Sequence, residues 1–201
     1  MRLVKVLFVC FTTVGLAGVG VYQYLQPPNL SYVEDFAPYI SGFTNGTVGK
    51  KSTIQVLLNF DHPDEIVPGK VIEDELLEFE PSVKGELKWN DKRSLEFVPS
   101  KPLESDQVYY CTFRLGEVLD TLPKKFRKFV FKFRTYKQDF RVDYDGLSPL
   151  SNNDPLWQHL SGRIQANDDI DSSGTMKMVT ATQDGRDLKI KWDLQEINWG
   201  S

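Results

Sequence analysis

The stretch GELKWNDKRSLEF, residues 85–97, decides the fold class that this sequence predicts. At its centre, Asn90-Asp91-Lys92 has the composition of a tight turn, because Asn and Asp tolerate the backbone angles that turns require. Side chains alternate between the two faces of a strand, so positions of equal parity point the same way. The stretch therefore predicts an antiparallel hairpin with one apolar face that belongs to a core. Four large apolar residues share parity on the two flanking strands: Leu87, Trp89, Leu95 and Phe97.

The same period-two pattern continues on both sides of this hairpin. Apolar residues alternate with polar ones in five further segments, 39–44, 54–60, 76–80, 109–115 and 129–133. Turn residues separate the segments about every 8 to 12 positions. About seven strands in roughly 100 residues predict an all-β domain, an immunoglobulin-like antiparallel sandwich over residues 39–138.

Length and composition limit the class of protein. The chain has 201 residues, of which 40% are hydrophobic and 26% are charged, so it can bury a core and is not a disordered tail. Its formal net charge of -4 argues against a nucleic-acid-binding protein, which should be basic on one face. Two cysteines, Cys10 and Cys111, are too few for a disulfide-dense scaffold or a cysteine zinc site.

The N-terminus has the pattern of a targeting segment. Arg2 and Lys5 precede residues 6–21, which include no charged residue. The pattern fits either a cleaved signal peptide or an uncleaved membrane anchor, in both cases an N-terminal hydrophobic helix within residues 1–26. Basic residues before the apolar run keep the N-terminus inside, so the rest of the chain is expected in the cell envelope, periplasmic or at the surface. Residues 27–38 are interpreted as a linker.

After residue 138 the pattern changes. Residues 140–159 are rich in Asp, Asn, Ser and Pro and predict a connecting stretch that holds one short strand. Asp184-Gly185 predicts a hairpin turn. Three strands would leave an apolar face and two edges open, so residues 139–201 are expected to be a connector and a truncated second β domain. The expected strands are residues 160–166, 176–182 and 188–193.

No residues have the spacing of a catalytic, cofactor-binding or metal site. His62 and His159 do not form a metal-ligand motif, and no nucleophile elbow occurs. Cys111 occupies an inward strand position and is interpreted as a buried hydrophobe. Residues 46–52 and 167–171 match phosphate- and calcium-binding loops only in part, because other residues occupy the key glycine, hydroxyl and glutamate positions. We therefore predict that the protein is not an enzyme and uses no cofactor.

One basic run stands out on this acidic chain. Half of it alternates with phenylalanines, so we interpret it as the solvent face of a strand, where lysines also protect an edge against aggregation. The alternative is contact with an anionic surface or with an acidic partner domain. The run consists of Lys124, Lys125, Arg127, Lys128, Lys132, Arg134 and Lys137.

Two blocks of the sequence resemble the bacterial alpha-2-macroglobulin family. LEFEP (77–81), GELKW (85–89) and RSLEFVPSKPL (93–103) are similar to the first macroglobulin-type sandwich of these proteins. The first block closes on Tyr109, in an arrangement that resembles a tyrosine corner. The second block is similar to the opening of the next macroglobulin domain and consists of LSGRI (160–164), Asn167-Asp168 and LKIKW (188–192).

The resemblance implies that the complete protein is a protease trap, which closes around a target protease after a bait segment is cut. The thioester tetrapeptide Cys-Gly-Glu-Gln of many members does not occur here. This chain would then be non-catalytic scaffold. Its expected partners are the target protease through the complete protein, further domains of the same chain, and the membrane through the N-terminal segment. The alternative is a generic Ig-like binding or spacer module of a membrane-anchored surface protein.

Overall fold

The computed structural model describes residues 27–151 and 154–193. The predicted N-terminal hydrophobic helix, anchor or signal peptide, lies outside the described residues. The chain divides into two compact units, residues 1–135 and residues 136–201.

The first unit is built almost entirely from short strands. Its helical pieces are α1 (Val33–Phe36), α2 (Leu115–Val118) and a 3₁₀ turn (Lys124–Phe126). Its strands are β1 (Ile40–Phe43), β2 (Gly46–Val48), β3 (Ile54–Leu58), β4 (Val71–Ile72), β5 (Leu77–Glu80), β6 (Gly85–Trp89), β7 (Ser94–Pro99), β8 (Val108–Phe113) and β9 (Phe129–Thr135).

These strands form two sheets. The first has the order β1-β3-β7-β6-β4, and its pairs are antiparallel. The second has the order β2-β9-β8-β5, with a parallel pair between β2 and β9 and antiparallel pairs elsewhere. The predicted fold class, an all-β immunoglobulin-like sandwich, is confirmed. The sequence pattern missed β2 and β4, because strands of two or three residues are too short to show an alternation.

Inward-facing apolar residues of both sheets build the core. Along β3, β8 and β9 every second residue is buried, as the alternation predicts. The hairpin of β6 and β7, residues 85–99, is called the founding hairpin. In it Leu87 pairs with Phe97 and Trp89 with Leu95, and all four side chains are buried. Full burial of one such side chain stabilises a fold by about 1.5–3 kcal/mol. The fully buried aromatic residues of this core are Phe113, Phe129 and Phe133.

A tyrosine corner holds the turn before β8. The Tyr109 hydroxyl accepts a hydrogen bond from the Glu104 N–H at 3.0 Å, and its ring stacks on Phe133 with centroids 5.3 Å apart. The Thr135 hydroxyl donates to the Glu104 carbonyl and accepts from the Gln107 N–H at 3.0 Å. The Glu104 peptide groups are therefore held from both sides, which confirms the expected role of Tyr109.

The second unit is built around a long two-stranded ribbon. Its elements are β10 (Phe140–Ser151), β11 (Asp154–Ala166), α3 (Ser172–Met178), β12 (Thr182–Gln183) and β13 (Arg186–Asp187). Asp184-Gly185 joins β12 to β13 with φ of 50° and 74°, so the predicted hairpin turn is confirmed.

Three expectations for this unit were wrong. Residues 140–159 form most of the ribbon rather than a connector, because continuous pairing with β11 outweighs their turn-like composition. The expected strand 176–182 is helical up to Met178, because the Asp171 side chain caps α3 by accepting from the Ser173 and Gly174 N–H groups. Residues 188–193 do not form a strand; the Leu188 N–H donates to the Ala181 carbonyl at 2.8 Å.

Candidate interaction surfaces

The ribbon of the second unit has one apolar face. Cross-strand pairs place Val142 beside Ile164 and Leu147 beside Leu160, with Tyr144 between them on the same side. Most of these side chains are open to solvent; Tyr144 is 74% exposed and Leu147 68%. Exposed apolar patches of this kind mark interaction surfaces in soluble proteins.

A β-bulge keeps that face continuous. Tyr144 pairs with Gly162 and Gly146 pairs with Ser161, so one extra residue lies between them on β10. Gly146 has φ of 100°, a conformation that glycine adopts without strain. Without the extra residue, Leu147 would point to the opposite face. The bulge therefore preserves a single apolar face from Phe140 to Leu147, over about 25 Å of ribbon.

The opposite face of the ribbon is polar along residues 141–148, whereas Leu150 and Trp157 near the end of the ribbon are each 69% exposed. Arg141 forms an ion pair with Asp143 at 3.1 Å, and the Ser148 hydroxyl lies 2.9 Å from His159 Nε2. Ser148 and His159 lie directly opposite each other on β10 and β11, so this contact is a cross-strand pair.

A cleft of about 460 Å³ opens beside β4, at the edge of the five-stranded sheet. Trp89 is only 3% exposed there, whereas Val67, on the loop before β4, is 65% exposed. The His62 ring meets the Trp89 ring edge to face at 5.0 Å. We call this the Trp89 cleft. Its apolar lining is Ile66, Val67, Val71, Ile72 and Trp89, and its polar lining is Glu65, Lys70, Glu73 and Asp74.

Two backbone hydrogen bonds fix the loop of the Trp89 cleft against the founding hairpin. The Gly69 N–H donates to the Trp89 carbonyl, and the His62 N–H donates to the Lys92 carbonyl, each at 2.8 Å. Gly69 has φ of 76°, so the Pro68-Gly69 turn needs glycine at its second position. The sequence assigned Trp89 to the core but did not reveal the cleft, because the loop that forms it has no regular periodicity.

The basic run is divided by the fold. Arg134 forms an ion pair with Asp106, and the Arg127 guanidinium donates to the Asp120 carbonyl at 3.3 Å. Lys125 lies over the Phe126 ring at 4.5 Å from its centroid. Lys132 is exposed on β9, which agrees with the interpretation of this run as the outer face of a strand.

The remaining residues considered for chemistry have structural roles. Cys111 is buried as a free thiol, and burial raises its pKa well above the usual value, so the interpretation as a buried hydrophobe is confirmed. Residues 46–48 of the phosphate-like loop form β2. Asp171 of the calcium-like loop caps α3, and hydrogen bonds from the Ser173 side chain and from the Ser173 and Gly174 backbone lower its pKa. No group of three or more potential ligands that could hold a metal ion occurs in the described part of the chain.

Across residues 27–151 and 154–193, no helix has the length and apolar character that a membrane span requires. The predicted hydrophobic helix precedes these residues.

Comparison with known proteins gives weak similarities. No protein-family model and no curated protein matches the chain. An L,D-transpeptidase from Mycobacterium tuberculosis H37Rv is 13% identical, with a TM-score of 0.33, over 53% of this chain and 42% of that chain. L,D-transpeptidase 3 from Mycobacterium tuberculosis is 12% identical, with a TM-score of 0.32, over 53% of this chain and 39% of that chain.

The same enzyme in complex with a faropenem-derived adduct is 10% identical, with a TM-score of 0.33, over 83% of this chain and 54% of that chain. The chain therefore spans about half or less of the length of these proteins. Similarity at this level assigns no activity to it.

Proposed function

We propose that this chain is a non-catalytic scaffold portion of an alpha-2-macroglobulin-like protease inhibitor, exported to the cell envelope. The observation that carries the proposal is the apolar face of the ribbon that follows the sandwich. Two sequence blocks of the chain, 77–103 in the sandwich and 160–192 in the second unit, resemble two successive macroglobulin domains.

The physical argument concerns what such a ribbon needs. A two-stranded ribbon is marginally stable in water, and this one exposes Val142, Tyr144, Leu147 and Leu160 on one side. A trap built from consecutive sandwiches supplies further strands of the same protein to cover that side. The sandwich of the first unit, with its closed core, would then serve as the rigid start of this series.

Export completes the proposal. Residues 1–26 would carry the chain out of the cytoplasm, either as a cleaved signal peptide or as a retained anchor. Alkaline phosphatase fused after residue 38 should then be active, because that enzyme needs an oxidising compartment for its disulfides. Replacement of Val9 and Val14 by Asp should abolish that activity, and an unchanged activity would contradict export.

The reading frame beyond Ser201 tests the scaffold assignment. A frame that continues through repeated sandwiches supports a trap, whereas an early stop codon contradicts it. The encoded protein, incubated with a protease, should be cut once in a bait segment and then shield the protease from large substrates while small peptides are still cleaved. A catalytically inactive protease, which cannot cut the bait, is the control and should remain unshielded.

A second function, an Ig-like binding module of an anchored surface protein, is favoured by the Trp89 cleft. This cleft combines five apolar and four charged lining residues, so it offers both apolar and ionic contacts to a bound molecule. This function requires no protease and no bait. It would replace the first proposal if the frame ended soon after the ribbon.

A further inference from the structure

The Trp89 cleft lies beside an open sheet edge. β4 pairs with β6 on one side and is the last strand in its sheet. The other edge of Val71–Ile72 can therefore accept the backbone of an added strand. A strand added here would run past the exposed side chains of Val67 and Val71, which line the cleft.

The charge around the cleft is negative. Three of its lining residues are acidic, Glu65, Glu73 and Asp74, and one is basic, Lys70. Glu65 is paired, because Lys92 contacts it at 3.6 Å. Within the described residues, Glu73 and Asp74 form no ion pair, and both line the cleft. The rim therefore complements positive charge.

We propose that the Trp89 cleft binds an extended peptide segment in which apolar residues alternate with Lys or Arg, added as a strand to the free edge of β4. Side chains of a strand alternate in direction, so the apolar set can enter the cleft while the long basic side chains of the other set reach over its rim. Its basic residues would lie along the rim with Glu73 and Asp74. This proposal is independent of the protease-trap assignment.

The volume of the cleft indicates the length of the bound segment. A space of about 460 Å³ accommodates two or three large aliphatic or aromatic side chains. With alternation, this corresponds to a segment of about five residues. Residues 188–192 of this chain, Leu-Lys-Ile-Lys-Trp, have the required pattern and give a probe of defined sequence.

The test measures binding of the fluorescein-labelled pentapeptide Leu-Lys-Ile-Lys-Trp to the full chain in a non-ionic detergent. We expect saturable binding by fluorescence anisotropy, weakened severalfold in 0.5 M NaCl because salt screens the rim charges. The charge-reversed peptide Leu-Glu-Ile-Glu-Trp should bind at least tenfold more weakly. So should Lys-Lys-Leu-Ile-Trp, which keeps the composition but lacks the alternation.

Variants of the protein locate the site. Glu73→Lys with Asp74→Lys should weaken binding about tenfold, since two attractive contacts become repulsive. Val67→Lys should do the same by placing a charge in the apolar lining. Glu117→Lys on α2, an exposed acid that is not part of the cleft lining, is the control for charge reversal outside the cleft and should change affinity less than twofold.

Three results would overturn the proposal: no saturable binding up to millimolar peptide, equal affinity for the charge-reversed peptide, or equal losses in the rim and control variants. Circular dichroism of each variant checks that the sandwich remains folded. None of these results bears on the reading frame or on bait cleavage, so the scaffold assignment is tested separately.

Discussion

The tyrosine corner allows one hydrogen bond to be removed almost in isolation. Tyr109→Phe keeps the ring, which is stacked on Phe133 at 5.3 Å and only 3% exposed. It removes the hydroxyl that accepts from the Glu104 N–H at 3.0 Å. Loss of such a bond leaves a part-buried donor without its acceptor and should lower the free energy of unfolding by about 1–3 kcal/mol.

The assay is thermal unfolding of the full chain, followed by near-UV circular dichroism and by tryptophan emission, to which buried Trp89 contributes. For a domain of this size each kcal/mol corresponds to about 4 °C, so Tyr109→Phe should lower the midpoint by about 4–12 °C. Tyr110→Phe is the matched control, because its side chain lies on the outer face of β8 and forms no hydrogen bond within the described residues. That variant should change the free energy of unfolding by less than about 0.5 kcal/mol.

Thr135 gives an independent check on the same corner. Its hydroxyl contacts the Glu104 carbonyl, while Tyr109 contacts the Glu104 N–H. Thr135→Val and Tyr109→Phe should therefore be non-additive by at least about 0.5 kcal/mol in a double-mutant cycle. Equal small shifts for Tyr109→Phe and Tyr110→Phe, together with additive effects, would refute the corner as a stabilising element.

Three further outcomes follow from the core and the sheet surface. Trp89→Ala should lower the free energy of unfolding by about 3–5 kcal/mol in urea, and an unchanged midpoint would contradict its core role. Gly85→Ala should destabilise by about 1–3 kcal/mol in the same titration, because a Cβ there would lie 2.3 Å from the Val98 carbonyl oxygen; a gain in stability would show that the strand can shift. Burial opposes ionisation of Glu96, but hydrogen bonds, first from Lys88, outweigh it and lower its pKa. Since the pKa of Glu96 is lower in the folded than in the unfolded protein, this stabilisation is present above the unfolded pKa and is lost as pH falls through the folded pKa. Glu96→Gln should therefore flatten the decline of the urea midpoint between pH 7 and pH 3. A decline identical to that of the unchanged protein would contradict the role assigned to Glu96.

The sandwich could be predicted from the sequence because its signal is both local and strong. In the founding hairpin, Leu87, Trp89, Leu95 and Phe97 have one parity, and no bulge interrupts the pairing between β6 and β7. The turn chemistry at 90–92 fixes the register of the two strands. Alternation, turn and burial therefore agree, and the fold class follows from them.

The strand β10 of the ribbon could not be predicted in this way, for a specific reason. Apolar residues of β10 have even numbers at Phe140, Val142 and Tyr144, and then an odd number at Leu147. The bulge before Gly146 absorbs the extra residue, so all four remain on one face in the structure. A period-two pattern read from the sequence breaks at this point, and the Asp and Pro residues nearby then predict a connector.

The Trp89 cleft could not be predicted, because its parts are distant in sequence and join only through the backbone. Ile66 and Trp89 lie on different parts of the chain, and backbone contacts place them together: the pairing of β4 with β6 and the hydrogen bond from the Gly69 N–H to the Trp89 carbonyl. Such contacts use backbone groups that nearly every residue has, and they leave no trace in side-chain periodicity. The acidic character of the loop was visible in the sequence, but charge alone indicates a solvated surface. It is the open edge of β4 beside buried Trp89 that suggests a partner for these acidic residues: an added strand that carries basic residues.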